Sequence, residues 1–149
     1  MELDGHEVVL EIGAGPGYFS PSLAAAVPDG TVVVADLQLD MARLAKERLS
    51  IGRNSHVLVA DAMRLPFRSA AFGAVVLATM LGELPDPSAG LAEVRRVLPV
   101  AGVLIVAETR RDSDFLPLRR LVALSRRAGF ELQKRRGAPW QFVARFRAT

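Results

Sequence analysis

Three features of the sequence predict an α/β protein: a mostly parallel sheet, helices over both of its faces, and an antiparallel hairpin at the end. The first is the stretch 8–20, VVLEIGAGPGYFS, where an apolar run with a single acid breaks into glycines at 13, 15 and 17 and then into residues spaced for a helix. The second is the recurrence of apolar, β-branched runs at 31–36, 57–61, 73–79 and 103–108, separated by segments with the 3.6-residue period of helices, an alternation that builds parallel sheets. The third is a change of period near the end, where Trp140, Phe142, Ala144 and Phe146 alternate with Gln141, Val143, Arg145 and Arg147.

Taken in order, residues 8–12 form the first strand, and the glycine loop opens directly into a helix whose apolar face is Phe19, Leu23 and Val27. Pro28-Asp29-Gly30 is a turn. Residues 31–35 form the second strand, ending on Asp36. Asp40 is placed to cap the next helix, with Met41, Leu44, Ala45 and Leu49 on its inner face. A short third strand, 57–60, closes on Asp61, and a connector with Leu65-Pro66-Phe67 leads to 73–79, which is uncharged and therefore central in the sheet. Residues 80–87 form an exit loop carrying Glu83 and Asp86. Leu91, Val94 and Leu98 mark a helix with Arg95 and Arg96 solvated, residues 103–107 a fifth strand closing on Glu108, and Pro117 to Gly129 a last helix. Residues 131–136, a turn at 137–139 and the alternating tail complete the hairpin.

The length of 149 residues with 50% hydrophobic content suits one domain, 1–149, with a substantial core. Zero cysteines exclude disulfides, thiolate metal sites and cysteine nucleophiles, and no metal site is expected. Residues 1–7 lack the basic and apolar segments of a signal peptide, and the longest uncharged run, 70–82, is too short for the roughly 20 residues of a membrane span. A cytoplasmic protein is the expectation. The formal net charge is only +3, yet Arg110, Arg111, Arg119, Arg120, Arg126, Arg127, Lys134, Arg135, Arg136, Arg145 and Arg147 crowd the end of the chain. Such a basic flank is either a solvated surface or an attractor of phosphate backbones, the solvated surface being the favoured reading.

A strand, a glycine loop and a helix let a ligand lie against bare backbone, with the amides of the helix start as donors. The dinucleotide fingerprint would need a glycine at 18 or 20, where the chain has Tyr18 and Ser20, and this argues against NAD. Asp36 lies 19 residues beyond Gly17, close to where nucleotide-binding folds place a carboxylate for ribose hydroxyls. Asp61-Ala62-Met63 is placed for an adenine edge, Asp61 accepting from an exocyclic amine and Met63 packing on the ring. Taken alone, Asp36 is equally a cap after a strand; the bland alternatives are a turn cap for Asp61 and a core residue for Met63.

These residues resemble those of class I S-adenosylmethionine-dependent methyltransferases, of the group related to the ubiquinone and menaquinone methyltransferases. Glu11-Ile12-Gly13-Ala14-Gly15-Pro16-Gly17 is similar to that family's first motif, Asp36 with the adjoining Leu37 to its ribose-binding position, and Asp61-Ala62 to its adenine-contacting pair. Residues 81–86 and 93–108 resemble its fourth-strand exit and its helix with the fifth strand. The resemblance implies a Rossmann-like, doubly wound sheet of seven strands with the last antiparallel. It also implies S-adenosylmethionine as cofactor, the glycine loop holding the methionine moiety, and Glu11 orienting moiety and loop.

Methyl transfer from an activated sulfonium chiefly requires positioning, so a general base is optional. A base would stand near the carboxyl ends of the strands, which excludes His6 and His56 and leaves Glu83 and Glu108 as candidates. A small-molecule acceptor is the leading expectation. The alternatives are a nucleic-acid-directed protein using the basic tail and a cofactor-binding module without turnover.

Three departures from the family pattern stand out. Val100-Ala101 replaces the Pro-Gly usual before the glycine matching Gly102, and Thr79-Met80-Leu81-Gly82 is not the Asn-Pro-Pro-aromatic signature of enzymes acting on planar base amines. Only seven residues precede Val8, where that family places helices that close over the cofactor, so those lid helices are missing from the expected fold. The expectation is an open cleft, covered by a second copy of the chain or by a large acceptor, or left open in a chain that binds cofactor without efficient turnover.

Overall fold

The computed structural model describes residues 3–49 and 54–149. Seven strands form one sheet: β1 (Val8–Ile12), β2 (Thr31–Asp36), β3 (Ser55–Val59), β4 (Ala74–Ala78), β5 (Val103–Thr109), β6 (Phe130–Ala138) and β7 (Gln141–Ala148). Their order is β3-β2-β1-β4-β5-β7-β6, parallel as far as β5 and antiparallel at β5-β7 and β7-β6. This is the doubly wound, Rossmann-like sheet with a terminal hairpin that the sequence led us to expect.

Period-two alternation divides the core. Leu10, Val75, Leu77, Leu104, Val106 and Phe146 face one way, against the helices α3 (Pro87–Val97) and α4 (Leu118–Arg127). Val9, Val32, Val34, Val76 and Ile105 face the other way, where α1 (Ser20–Ala26) contributes Leu23 and α2 (Leu39–Leu49) contributes Ala45 and Leu49. Helix α1 packs on β2, and α2 on β2 and β3. On the same side, Ile105 of β5 joins the cluster with Leu23 of α1.

The chain winds outward from β1 through β2 to β3, then returns to place β4 on the other side of β1. In open sheets the divergence of the two loops at such a reversal leaves a crevice beyond the carboxyl ends of the strands. The carboxyl ends that meet there are those of β1, β2 and β4, at Gly13, Asp36 and Thr79.

Several local expectations are corrected. Helix α1 begins at Ser20, so Phe19 precedes it with φ −92° and is 55% exposed rather than part of the apolar face. In α2 the buried positions are Ala42, Ala45 and Leu49, whereas Leu44 is exposed and Asp40 sits inside the first turn, not before it. Arg96 is only partly solvated: it donates to Phe67 O (2.6 Å), Leu65 O (3.0 Å) and Glu93, while Glu93 accepts from Leu65 N (2.8 Å). The hairpin turn is Pro139-Trp140, because β6 runs on to Ala138 and pairs it with Gln141. Trp140 is therefore in the turn and exposed instead of alternating inward.

Candidate functional site

The apolar residues of β1 bury the strand, and the chain leaves it through three glycines with positive φ, Gly13 (+67°), Gly15 (+54°) and Gly17 (+79°). A side chain at 15 would meet nothing within 4 Å, so that turn of backbone is bare toward the crevice. Gly17 serves differently, since a Cβ there would press on Ala45 of α2 at 3.0–3.1 Å; its lack of a side chain seats the loop on that helix.

The amides of the glycine loop itself are engaged within the protein. Gly13 N and Ala14 N donate to Ala35 O, Gly17 N donates to Ala14 O, and Gly15 N donates to Asp36 Oδ2 at 2.8 Å. Asp36 Oδ1 in turn accepts from Gln38 N at 2.9 Å. The Asp36 carboxylate thus ties the glycine loop to the end of β2, and each of its oxygens retains a second acceptor direction.

Glu11 is 1% exposed, and one of its oxygens accepts the Ser20 hydroxyl while Oε1 has no partner. Burial pushes its pKa up to about 7, and the Ser20 hydrogen bond pulls the other way. A buried acceptor without a donor is costly, and a cationic donor arriving beside it would remove that cost.

These groups surround a cleft of about 440 Å³. Of the sequence-based candidates, Glu11, Gly13, Ala14, Gly15, Asp36, Leu37, Asp61, Ala62 and Met63 border it, and Gly17 does not. Asp61 Oδ1 accepts from Met63 N at 2.8 Å, which shapes the loop after β3. Glu83, on a single 3-10 turn at Leu81–Glu83, stands at the mouth, its pKa raised by partial burial first and then by Asp112, Asp114 and Asp36. Among the described residues no cluster of acids and histidines could hold a metal ion.

Glu108 lies apart from the cleft, on the wall of a second cavity of about 540 Å³ that shares Phe19, Ala78 and Thr79 with it. Its side chain is buried, Oε2 accepts from Leu116 N (3.2 Å), and Oε1 is unpartnered. Burial pushes its pKa up to about 7; the Leu116 amide lowers it and Asp112 and Glu83 raise it further.

Sequence reasoning missed Tyr18, Phe19, Met41, Thr79 and Met80, all of which border the cleft. Tyr18 is stacked under Arg48 with the guanidinium carbon 4.4 Å from the ring centre. Thr79 has φ +51°, a strained conformation for a β-branched residue, and strain of this kind gathers at functional sites.

The fold and this cleft define a nucleotide-cleft α/β domain, and comparison with known proteins gives its family. Residues 9–102 match the family described as "Methyltransferase domain", and the chain belongs to that family. The demethylmenaquinone methyltransferase of Roseiflexus castenholzii is 33% identical over 102 residues, covering 68% of this chain and 42% of that protein. The demethylmenaquinone methyltransferase of Staphylococcus aureus is likewise 33% identical, over 70% of this chain and 44% of its own length. The chain thus spans less than half the length of the curated relatives it matches. Its fold is that of S-adenosylmethionine-dependent methyltransferases. A solved example from Aquifex aeolicus superposes with a TM-score of 0.88 at 20% identity, over 96% of this chain and 82% of that one. No helix among the described residues is long and apolar enough to cross a membrane.

Proposed function

We propose that residues 1–149 act as one domain that binds S-adenosylmethionine at the reversal between β1 and β4 and transfers its methyl group to a small-molecule acceptor. The observation that carries this reading is the convergence of bare backbone at Gly15, the Asp36 carboxylate and the Asp61-Ala62-Met63 loop on one cleft. Its volume lies within the roughly 300–1,000 Å³ range of cofactor pockets. When bound, the cofactor supplies a sulfonium-activated methyl group.

In this reading Asp36 accepts from ribose hydroxyls, with Leu37 over the sugar, and Asp61 accepts from the adenine amine while Ala62 and Met63 pack on the ring. Gly13, Ala14 and Gly15 give the methionine end room against the backbone. The unpartnered Glu11 Oε1 accepts from its ammonium, which is the donor that this buried oxygen lacks. Gly17 contributes by seating the loop. Glu108 takes the acceptor's proton when the acceptor is a hydroxyl, and Glu83 stands by the mouth. The names of the two relatives support a small-molecule acceptor. A nucleic-acid partner draws less support: Arg119, Arg120, Arg126 and Arg127 ride on α4, whereas Lys134, Arg136 and Arg145 lie on the opposite side of the sheet.

Calorimetry with S-adenosylmethionine and S-adenosylhomocysteine tests the reading. Both should bind with dissociation constants on the order of micromolar to sub-millimolar, as the usual range of substrate constants suggests. Absence of heat with either at millimolar concentration would refute it. With a hydroxyl acceptor the rate should rise with pH through about 7 as Glu108 loses its proton, and E108Q should remove that limb.

A further inference from the structure

Glu11 reaches the cleft from inside the sheet. In β1, Leu10 and Ile12 join the core on the α3 and α4 side, Val9 joins the core on the α1 and α2 side, and period-two alternation turns Glu11 to the same side as Val9. Its carboxylate therefore meets the start of α1, where Ser20 is fully buried. The Ser20 hydroxyl donates to Glu11 Oε2, and Oε1 is left without a partner. Gly17 leaves room for this bond, since a Cβ there would stand 3.3 Å from the Ser20 hydroxyl oxygen and 3.0 Å from the Ala45 backbone.

The other acids that border the cleft are engaged or wet. Asp36 takes a backbone amide on each oxygen, Asp61 takes the Met63 amide, and Glu83 is exposed at the mouth. Among the described residues bordering the cleft, Glu11 alone brings a buried and unpartnered oxygen to the wall, and no lysine, arginine or histidine is there to meet it. The donor it lacks has to arrive with the ligand. The terminal torsion of a glutamate is broad, so an untethered carboxylate spreads its two oxygens over many directions, whereas a tether on one oxygen aims the other.

We propose that Ser20 is a positioning residue that sets ligand specificity: by holding Oε2 it aims Oε1 into the cleft, and the cleft then selects adenosyl thioethers and sulfonium compounds that carry an ammonium group over those that end in a bare alkyl group. The inference rests on the cofactor reading of the cleft. Ser20 touches no ligand itself and acts through Glu11. Without the hydroxyl the carboxylate turns freely and loses its aim at the ammonium, while the adenosine contacts at Asp36 and Asp61 stand.

Three ligands separate the parts, each titrated by calorimetry into the full chain. S-adenosylhomocysteine carries an ammonium and a carboxylate, S-adenosyl-3-thiopropylamine carries the ammonium alone, and 5′-methylthioadenosine carries neither. S20A should weaken the first two equally, by roughly tenfold, the size of one charge-assisted hydrogen bond. Affinity for 5′-methylthioadenosine should not change, which also shows that the cleft is intact in the variant. S20T, which keeps a hydroxyl, should restore both losses, and E11Q with S20A should cost no more than E11Q alone, because the serine acts through the acid. Unchanged binding of the two ammonium ligands by S20A overturns the proposal, as does a loss shared by 5′-methylthioadenosine or one that S20T leaves unrepaired. A wild-type chain that binds none of the three removes the cofactor reading and this inference with it; a chain that binds all three, with no selective loss in S20A, removes the role of Ser20 alone.

Discussion

Two side chains set the behaviour of the site at the scale of single residues. Glu11 in the ligand-free protein has its pKa raised by burial to about 7, against about 4.5 unfolded. The folded state therefore holds the extra proton, and the stability linked to it is full below about pH 4.5 and is lost as pH rises toward 7, about 1.4 kcal/mol for each unit of elevation. E11Q should flatten that part of the stability profile, as measured by urea unfolding between pH 4 and 8. An ammonium settling on Oε1 reverses the shift, so cofactor binding near pH 6.5 should release protons, seen as a buffer-dependent binding enthalpy. Proton uptake would contradict this assignment. Ala101 is the second case: it adopts φ +67° in the turn before β5, at a position where glycine has no steric penalty. A101G should raise stability by about 0.5–1 kcal/mol without changing cofactor affinity, because the turn lies at the far end of the sheet from the cleft. Neither the Glu11 orphan oxygen nor the strained turn was legible in the sequence, since both depend on which neighbours the fold supplies; only the presence of an acid and of a non-glycine there could be read.

Among the elements, the loop between β3 and β4 shows how much positioning happens away from the cleft. It carries Asp61, Ala62 and Met63, and its other end is clamped by Arg96 of α3 through two carbonyls and Glu93. Glu93 also caps Leu65 N, and Arg96 lowers its pKa. R96A leaves two half-buried carbonyls without a donor, at a cost of about 2 kcal/mol. It should also weaken S-adenosylhomocysteine binding several-fold by loosening Asp61, with denaturation and calorimetry as the two readouts. Unchanged affinity would separate the clamp from the cleft. Sequence periodicity located every strand within about two residues. It failed where elements end: Phe19 and Leu44 fit a helical period, but α1 starts one residue after Phe19, and α2 turns Ala42 inward in place of Leu44. Arg96 looked solvated because its partners lie 29 and 31 residues earlier in the chain, beyond the reach of any local pattern.

Across the whole molecule, strand order is what makes a site of these parts. Because β1 is followed outward by β2 and then flanked by β4, the glycine loop, Asp36 and Thr79 emerge side by side around one cleft. The terminal acids of the strands were readable as a group, and so was the antiparallel tail. The second cavity beside Glu108 was not, since it is built from residues of β4, β5 and the hairpin that are far apart in the chain. The account stands most directly on where a bound nucleoside would lie, and a crystal structure of the chain with S-adenosylhomocysteine measures that. It should show the ribose hydroxyls on Asp36, the adenine against Asp61 and Met63, and the amino group on Glu11 Oε1; a nucleoside seated elsewhere, or held with Asp36 and Glu11 both out of hydrogen-bond reach, would contradict the account.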